Sequence, residues 1–273
     1  MNYTQTCDNF AQFAKRKAEA MKRAPLSLLA GCMLAGAYIG IALILALTCS
    51  AGLPAGVRPL VTGSVFGIGL LLVLFAGADM YTGYVMYVVF GVARRTISLI
   101  DATLLLVFVW VGNLIGGALF AWLYTASGGG VVFSTPNFLH DYVMHKEVVG
   151  WVPLLAKATL CNWLVCLAIW TPARLQSESA KILALAWCLL AFVACGFEHS
   201  VANMTAVLVD LMAPVGVGFG TPALAAYNLA IVTLGNFIGG GVLVAGAYLL
   251  YAGADQDSAP QKPVERTHPA HAA

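Results

Sequence analysis

Six long apolar segments dominate the chain and restrict it to a membrane-spanning fold. A helix needs about 20 apolar residues to cross the hydrocarbon core of a bilayer, and segments at least that long lie at about 26–50, 59–92, 101–125, 149–171, 180–212 and 224–251. Only 10% of the 273 residues are charged, whereas soluble domains carry about a quarter. The sequence therefore predicts an all-α membrane protein with an amphipathic segment 1–23, a six-span domain 24–251 and a disordered tail 252–273.

Positive charges accumulate on one side of the six segments. Eleven of the 14 Lys and Arg residues precede segment one, follow segment six, or lie between segments two and three or four and five. Only Arg58 and Lys146 lie in the opposite loops, and Lys157 falls inside segment four. Because such residues mark cytoplasmic loops, we predict a multi-pass protein of a bacterial inner membrane with both termini in the cytoplasm. The residues at the start favour no cleavable signal peptide.

Two polar interruptions fall within the second and fifth segments, which are too long for one simple span. The first is Gly77-Ala-Asp-Met-Tyr-Thr-Gly83 and the second is Gly196-Phe-Glu-His-Ser-Val-Ala-Asn203. Each places an acid two residues after a glycine. Irregular backbone at membrane depth is tolerated only where it is buried in protein or lines a cavity. We therefore predict that spans two and five are each two half-helices beside a pore.

A short repeat relates span three to span six. Gly112-Asn-Leu-Ile-Gly-Gly117 and Gly235-Asn-Phe-Ile-Gly-Gly240 differ at one position across 123 residues. With three spans in each half, the second half enters the membrane from the other side, which predicts an inverted 3+3 repeat. The glycines are typical of close helix packing. Asn113 and Asn236 either satisfy backbone groups that the breaks leave free or donate to a permeating solute.

One histidine, His199, lies inside a predicted span. It is either a neutral imidazole satisfied within the core or a group that binds an anion and exchanges a proton with it. Intramembrane ionisable residues commonly mark a transport path, which favours the second interpretation. Thr82, in the opposing interruption, is its expected hydroxyl partner.

The acids and lysines near the interruptions allow competing interpretations. Asp79 and Glu198 would repel anions from a pore, so we expect each to cap the free N–H groups of a half-helix. The alternative is a cation site. Lys146, near the outer end of span four, either snorkels to the membrane surface or attracts anions. Lys157 lies deeper, which favours an electropositive role in a vestibule.

Bulky apolar side chains lead toward both interruptions. Phe66 and Leu70 are four residues apart and share a helix face, Phe192 precedes Gly196, and Tyr81 adjoins Thr82. Such residues are ordinary core, or they form constrictions that strip water from a passing ion.

Three motifs in the same order resemble the formate/nitrite transporter family, most closely its nitrite-transporting branch. They are Leu74-Phe-Ala-Gly-Ala-Asp-Met-Tyr-Thr-Gly83, Ala158-Thr-Leu-Cys-Asn-Trp-Leu-Val-Cys-Leu-Ala168 and Gly196-Phe-Glu-His-Ser-Val-Ala-Asn-Met204. The resemblance covers about residues 24–251. Met80-Tyr81 stands where Leu-Phe is commoner in the family.

The resemblance implies an aquaporin-like fold, with each subunit of a homopentamer containing its own pore for small monovalent anions. It implies a central histidine at His199, a loop threonine at Thr82 and pore-associated amides at Asn162 and Asn236. It aligns the constrictions with Phe66, Leu70, Tyr81, Val165 and Phe192. It also makes Lys146 and Lys157 candidates for a lysine that attracts anions into a vestibule.

The function predicted is a nitrite channel or transporter, a protein that is not an enzyme and binds no nucleic acid. Its partners are nitrite, formate or related weak-acid anions, together with membrane lipid. Formate as the main substrate is the first alternative, and a neutral-solute pore is the second. A membrane enzyme or redox subunit is disfavoured because the sequence lacks paired histidines for haem and cysteines at metal-ligand spacing, so we predict no cofactor or metal. The seven cysteines are expected to pack without disulfides.

Overall fold

The chain folds into helices throughout its membrane region. The computed structural model describes residues 2–147, 149–218 and 220–257. Within these residues the α-helices are α1 (Tyr3–Arg23), α2 (Pro25–Ser50), α3 (Arg58–Leu71), α4 (Tyr81–Ala93), α5 (Leu99–Ala126), α6 (Gly130–Ser134), α7 (Phe138–Glu147), α8 (Trp151–Arg174), α9 (Glu178–Ala194), α10 (Ser200–Met212), α11 (Pro222–Phe237) and α12 (Ala247–Asp257). Two π-helical segments, Leu72–Gly77 and Ile238–Gly246, continue α3 and α11.

The helices confirm the predicted all-α membrane fold with spans two and five broken. Five helical stretches are long and apolar enough to cross a membrane: Pro25–Ser50, Arg58–Gly77, Leu99–Ala126, Trp151–Arg174 and Pro222–Gly253. The last helix continues to Asp257, and Ala252 is fully buried. The predicted tail therefore begins as helix, and its remainder, 258–273, lies outside the described residues.

Both breaks turn on a glycine in a left-handed conformation. Gly77 has φ +85° and ends the first π-helical segment, and Gly196 has φ +68° and lies two residues after the end of α9. A side chain at such a φ is strained, whereas glycine adopts it readily. Three residues then separate each glycine from the next half-helix, which begins at Tyr81 in the first break and at Ser200 in the second. Both interruptions predicted from the sequence are thus confirmed as breaks in the helices, with the chain continuing through them.

The N-terminal helix α1 packs against the membrane domain along one small-residue face. Its buried positions recur at helical spacing and are Thr6, Cys7, Ala11, Ala14 and Ala18. Three ion pairs tie α1 to separate elements: Asp8 to Arg94 at 2.8 Å, Lys17 to Asp79 at 2.6 Å and Lys22 to Asp101 at 2.6 Å. The amphipathic segment is thus a docked helix, and it brings Lys17 to the first break.

The connection between spans three and four holds two helices that the sequence analysis did not predict. The short α6 is followed by α7, whose Leu139 and Val143 are buried. Asn228 of α11 donates to the Lys146 carbonyl at 3.0 Å and fixes the end of α7. As a result, Lys146 lies beside the second break rather than at the membrane surface.

Candidate functional site

His199 and Thr82 meet at the centre of the protein. The His199 Nε2 lies 3.0 Å from the Thr82 Oγ1, and the two residues are 3% and 0% exposed. Thr82 is in the first turn of α4 and His199 is the N-cap of α10, so each break supplies one partner. The pairing predicted from the sequence is present.

The capping bond of His199 assigns its tautomer. Its Nδ1 accepts the Ala202 backbone N–H at 3.1 Å. A neutral imidazole has one donor and one acceptor nitrogen, so the proton is on Nε2, which donates to the Thr82 oxygen. The Thr82 hydroxyl then keeps its own proton for another acceptor. An imidazolium would have to release the Ala202 N–H, because both of its nitrogens are donors.

A very small apolar cavity adjoins this pair. It has a volume of about 10 Å³, which is close to the space of one water molecule. The Phe66 and Phe192 rings meet edge to face with centroids 5.8 Å apart, and Phe192 stacks on His199 at 5.9 Å. The lining residues are Ile39, Phe66, Leu70, Met80, Val165, Leu189, Phe192 and His199.

Three wider cavities lie near this narrow one. The α7 vestibule, of about 420 Å³, is lined by Arg58, Asp141, Tyr142, His145, Lys146, Lys157, Cys195 and Glu198 among others. A cavity of about 110 Å³ shares Lys146 with that vestibule and Phe66, Phe192 and His199 with the narrow cavity. The α1 vestibule, of about 330 Å³, shares Met80 with the narrow cavity and is lined by Phe13, Lys17, Asp79 and Tyr84 among others. The shared lining residues thus place the narrow cavity, which His199 lines, between the two vestibules.

Asn113 and Asn236 hold the two breaks in the same way. Asn113 donates to the Cys32 and Asp79 carbonyls at 2.8 Å each and accepts the Tyr81 N–H at 2.8 Å. Asn236 donates to the Ala158 and Glu198 carbonyls at 2.8 and 2.9 Å and accepts the Ser200 N–H at 2.8 Å. The corresponding contacts support the relation between the halves that the repeated motif predicts.

Asn162 links the first break to the second half of the chain. Its amide donates to the Thr82 carbonyl at 3.0 Å and to the Asn236 carbonyl at 2.7 Å. The amide groups of Asn113, Asn162 and Asn236 therefore each donate both N–H bonds to backbone carbonyls. These contacts favour the interpretation in which Asn113 and Asn236 satisfy backbone groups that the breaks leave free.

Asp79 and Glu198 do not cap the half-helices, so that prediction is wrong. The half-helix α10 is capped by His199, and α4, whose N-cap residue is Met80, has no side-chain cap. Asp79 instead accepts from Lys17 and from the Tyr84 hydroxyl at 2.6 Å each. The two Glu198 oxygens each lie 3.0 Å from the Lys146 Nζ, and Asn203 donates to Glu198 at 2.7 Å. Each acid therefore pairs with a lysine of a helix outside the predicted spans, α1 for Asp79 and α7 for Glu198.

Family comparison agrees with this architecture over nearly the whole chain. A family model described as formate/nitrite transporter matches residues 4–250. The chain belongs to the formate/nitrite transporter family. It is 39% identical over 246 residues to the nitrite transporter NirC of Escherichia coli (strain K12), covering 90% of this chain and 91% of NirC. It is 32% identical over 241 residues to the formate channel FocA of the same organism, covering 78% and 82% of the two chains.

Solved structures of this family share the fold. An FNT family ion channel superposes with a TM-score of 0.86 at 40% identity, covering 91% of this chain and 99% of that one. A pentameric formate channel with formate bound gives 0.69 at 28% identity, covering 85% and 99%.

Four of the five predicted constriction residues lie together in the structure. Phe66, Leu70, Val165 and Phe192 line the narrow cavity with His199. Tyr81, which the resemblance also aligned with a constriction, does not line this cavity. It lines an apolar groove of about 840 Å³ between α5, α10 and α11, with its hydroxyl 3.5 Å from the Thr233 carbonyl. The neighbouring residue Met80 takes the place beside His199, because Asn113 fixes the Tyr81 backbone and thereby the direction of each side chain.

The two candidate lysines differ in their surroundings. Lys146 is mostly buried, with 12% of its side chain exposed, and is paired with Glu198, which excludes the snorkelling interpretation. Desolvation alone would lower the pKa of Lys146, but attraction to the Glu198 carboxylate outweighs it and holds the pKa above its ordinary value. Lys157 is half-buried and lines the same vestibule. The sequence analysis did not identify Lys17, because no neighbouring residue in the sequence indicates that α1 brings this lysine to the first break.

Proposed function

We propose that this protein is a channel or transporter for nitrite and related small monovalent anions. The observation that carries the proposal is the narrow apolar cavity beside the His199–Thr82 pair, with a lysine-bearing vestibule on each side. Curated relatives named nitrite transporter and formate channel support the substrate class. A solute that crosses unchanged needs no cofactor, and we propose no enzymatic activity.

The path suggests how an anion crosses. Lys157, which makes no ion pair among the described residues, raises the anion concentration in the α7 vestibule, whereas Lys146 and Lys17 are each paired with a carboxylate. Phe66, Leu70, Met80, Val165 and Phe192 then remove water. His199 in its neutral Nε2–H form orients the Thr82 hydroxyl, which donates a hydrogen bond to the dehydrated anion. A proton that the weak-acid anion takes from the water of the vestibule lowers the cost of crossing the apolar cavity.

We also propose the arrangement in the membrane. The bias of Lys and Arg supports both termini in the cytoplasm of a bacterial inner membrane. The α7 vestibule then opens to the outside and the α1 vestibule to the inside. The pentameric state of the solved formate channel supports a homopentamer in which each subunit contains its own path.

Flux in proteoliposomes tests the function directly. Purified protein is expected to carry nitrite and formate at both acid and neutral pH, and to carry chloride poorly, because chloride is not the conjugate base of a weak acid. Competition between nitrite and formate ranks the two substrates. Osmotic swelling with water or glycerol but without anion movement would instead identify a neutral-solute pore.

Replacing His199 tests its role at the centre. His199→Asn keeps an acceptor that caps the Ala202 N–H, but its shorter side chain does not bring its N–H donors to Thr82. We expect nitrite flux to fall about tenfold or more, since a hydrogen bond involving a charged group contributes about 1.5 to 3 kcal/mol. Elution and melting temperature in detergent report whether the fold persists. A folded variant with unchanged flux at every pH would remove the histidine from the mechanism.

A further inference from the structure

One face of α7 contributes a histidine to the α7 vestibule, in addition to the lysines that line it. Phe138, Asp141, Tyr142, His145 and Lys146 all line this cavity, and their spacing places them on one side of the helix. His145 is exposed, whereas Lys146 is mostly buried against Glu198. The imidazole is therefore in contact with the water that an anion must leave on its way to the narrow cavity.

The ionisable groups that line the cavity with His145 come from α3, α7, α8 and the second break. Among the described residues these are Arg58 of α3, Asp141, Tyr142 and Lys146 of α7, Lys157 of α8, and Cys195 and Glu198 of the second break. Lys146 and Glu198 neutralise each other. Arg58 donates to the Leu53 carbonyl and lies over the Phe138 ring, but it keeps its charge. Arg58, Lys157 and Asp141 thus leave one net positive charge when His145 is neutral.

Protonation of His145 would double that net charge. Histidine is the residue type whose change of charge ordinarily falls near neutral pH. His145 lies in the last turn of α7, and Asp141 lies one turn before it. A charge in a confined vestibule raises the local concentration of counter-ions.

We propose that His145 sets how strongly the α7 vestibule captures small monovalent anions, so that capture strengthens when the solution on that side becomes acidic. This inference rests on the proposed anion-channel function and deepens it. The residue differs from His199, which is buried and acts on the dehydrated anion. His145 acts earlier, on the hydrated anion, and affects the rate at low anion concentration rather than the maximal rate.

Nitrite flux at subsaturating concentration and low salt tests the proposal with His145→Gln and His145→Lys. The wild-type rate divided by the His145→Gln rate is taken at each pH, which cancels the protonation of nitrite itself. At about pH 5.5 we expect a ratio of about two to five, the size given by Coulomb's law for one charge roughly 8 Å away in a mostly aqueous space. At about pH 8, above the range in which an imidazole is charged, we expect a ratio near one. His145→Lys should keep high capture at both pH values.

His140→Gln is the matched control, because His140 lies on the same helix but does not line the vestibule. It should follow the wild-type pH response. High salt should shrink the effect by screening, and saturating nitrite should remove it. If the wild type carries nitrite and the ratio of its rate to the His145→Gln rate is one at both pH values, the inference is overturned and the proposed function stands. Absence of anion flux in every variant, the wild type included, would instead overturn the proposed function.

Discussion

Replacing Lys146 with methionine is expected to destabilise the folded protein by about 3 to 5 kcal/mol, the usual cost of leaving one partner of a buried ion pair uncompensated. Glu198 has only 4% of its side chain exposed, and both of its oxygens lie 3.0 Å from the Lys146 Nζ. Asn203 would remain as a partner of Glu198, but its amide is neutral. The melting temperature in detergent, followed by circular dichroism, measures the loss.

Two further variants separate the ion pair from a general effect of removing a lysine. Lys157→Met changes a half-buried lysine of the same vestibule that makes no ion pair within the described residues, and we expect a change within about 0.5 kcal/mol. The double variant Lys146→Met with Glu198→Gln removes both charges and should recover most of the stability. A Lys146→Met protein that melts at the wild-type temperature would show that Glu198 does not depend on this lysine.

Alanine at Gly116 or at Gly239 is expected to cost about 3 kcal/mol or more, at or above the upper end for overpacking. A Cβ at Gly116 would overlap the Met33 carbonyl oxygen, and one at Gly239 would overlap the Thr159 carbonyl oxygen. Both obstacles are helix backbone, so relief requires α5 to move from α2, or the second π-helical segment to move from α8. We expect a large fall in the yield of folded protein, measured by size-exclusion chromatography in detergent.

Glycines with open surroundings supply the controls for this prediction. A Cβ at Gly67 would come no nearer than 3.9 Å to the Ala186 Cα, and one at Gly246 would meet no atom within 4 Å. Both alanine variants should fold with wild-type yield, because helical alanine is favoured over glycine when nothing obstructs it. Equal yields for the Gly116 and Gly67 variants would mean that the packing of α5 on α2 tolerates a side chain.

The positions of the breaks followed from local chemistry that the sequence records directly. Span length and apolar composition are properties of contiguous residues, and a glycine beside an acid in an apolar segment has few stable alternatives to irregular backbone. The pairing of His199 with Thr82 was also predictable, since two breaks in equivalent positions of two halves are expected to face each other. The repeated Asn113 and Asn236 motifs identified the residues that hold the breaks, although not whether their amides contact backbone or solute.

By itself, the sequence determined the number of spans, the two breaks and the residue types at the centre, because hydrophobic length and glycine conformation act over a few neighbouring residues. Only the tertiary structure decided which partners the buried charges take. Glu198 pairs with Lys146, 52 residues away, and Asp79 with Lys17 on a separate helix. It also decided that Met80, rather than Tyr81, faces His199. These choices depend on how α1 and α7 dock and on the rotation of α4, which are set by packing between segments far apart in the chain.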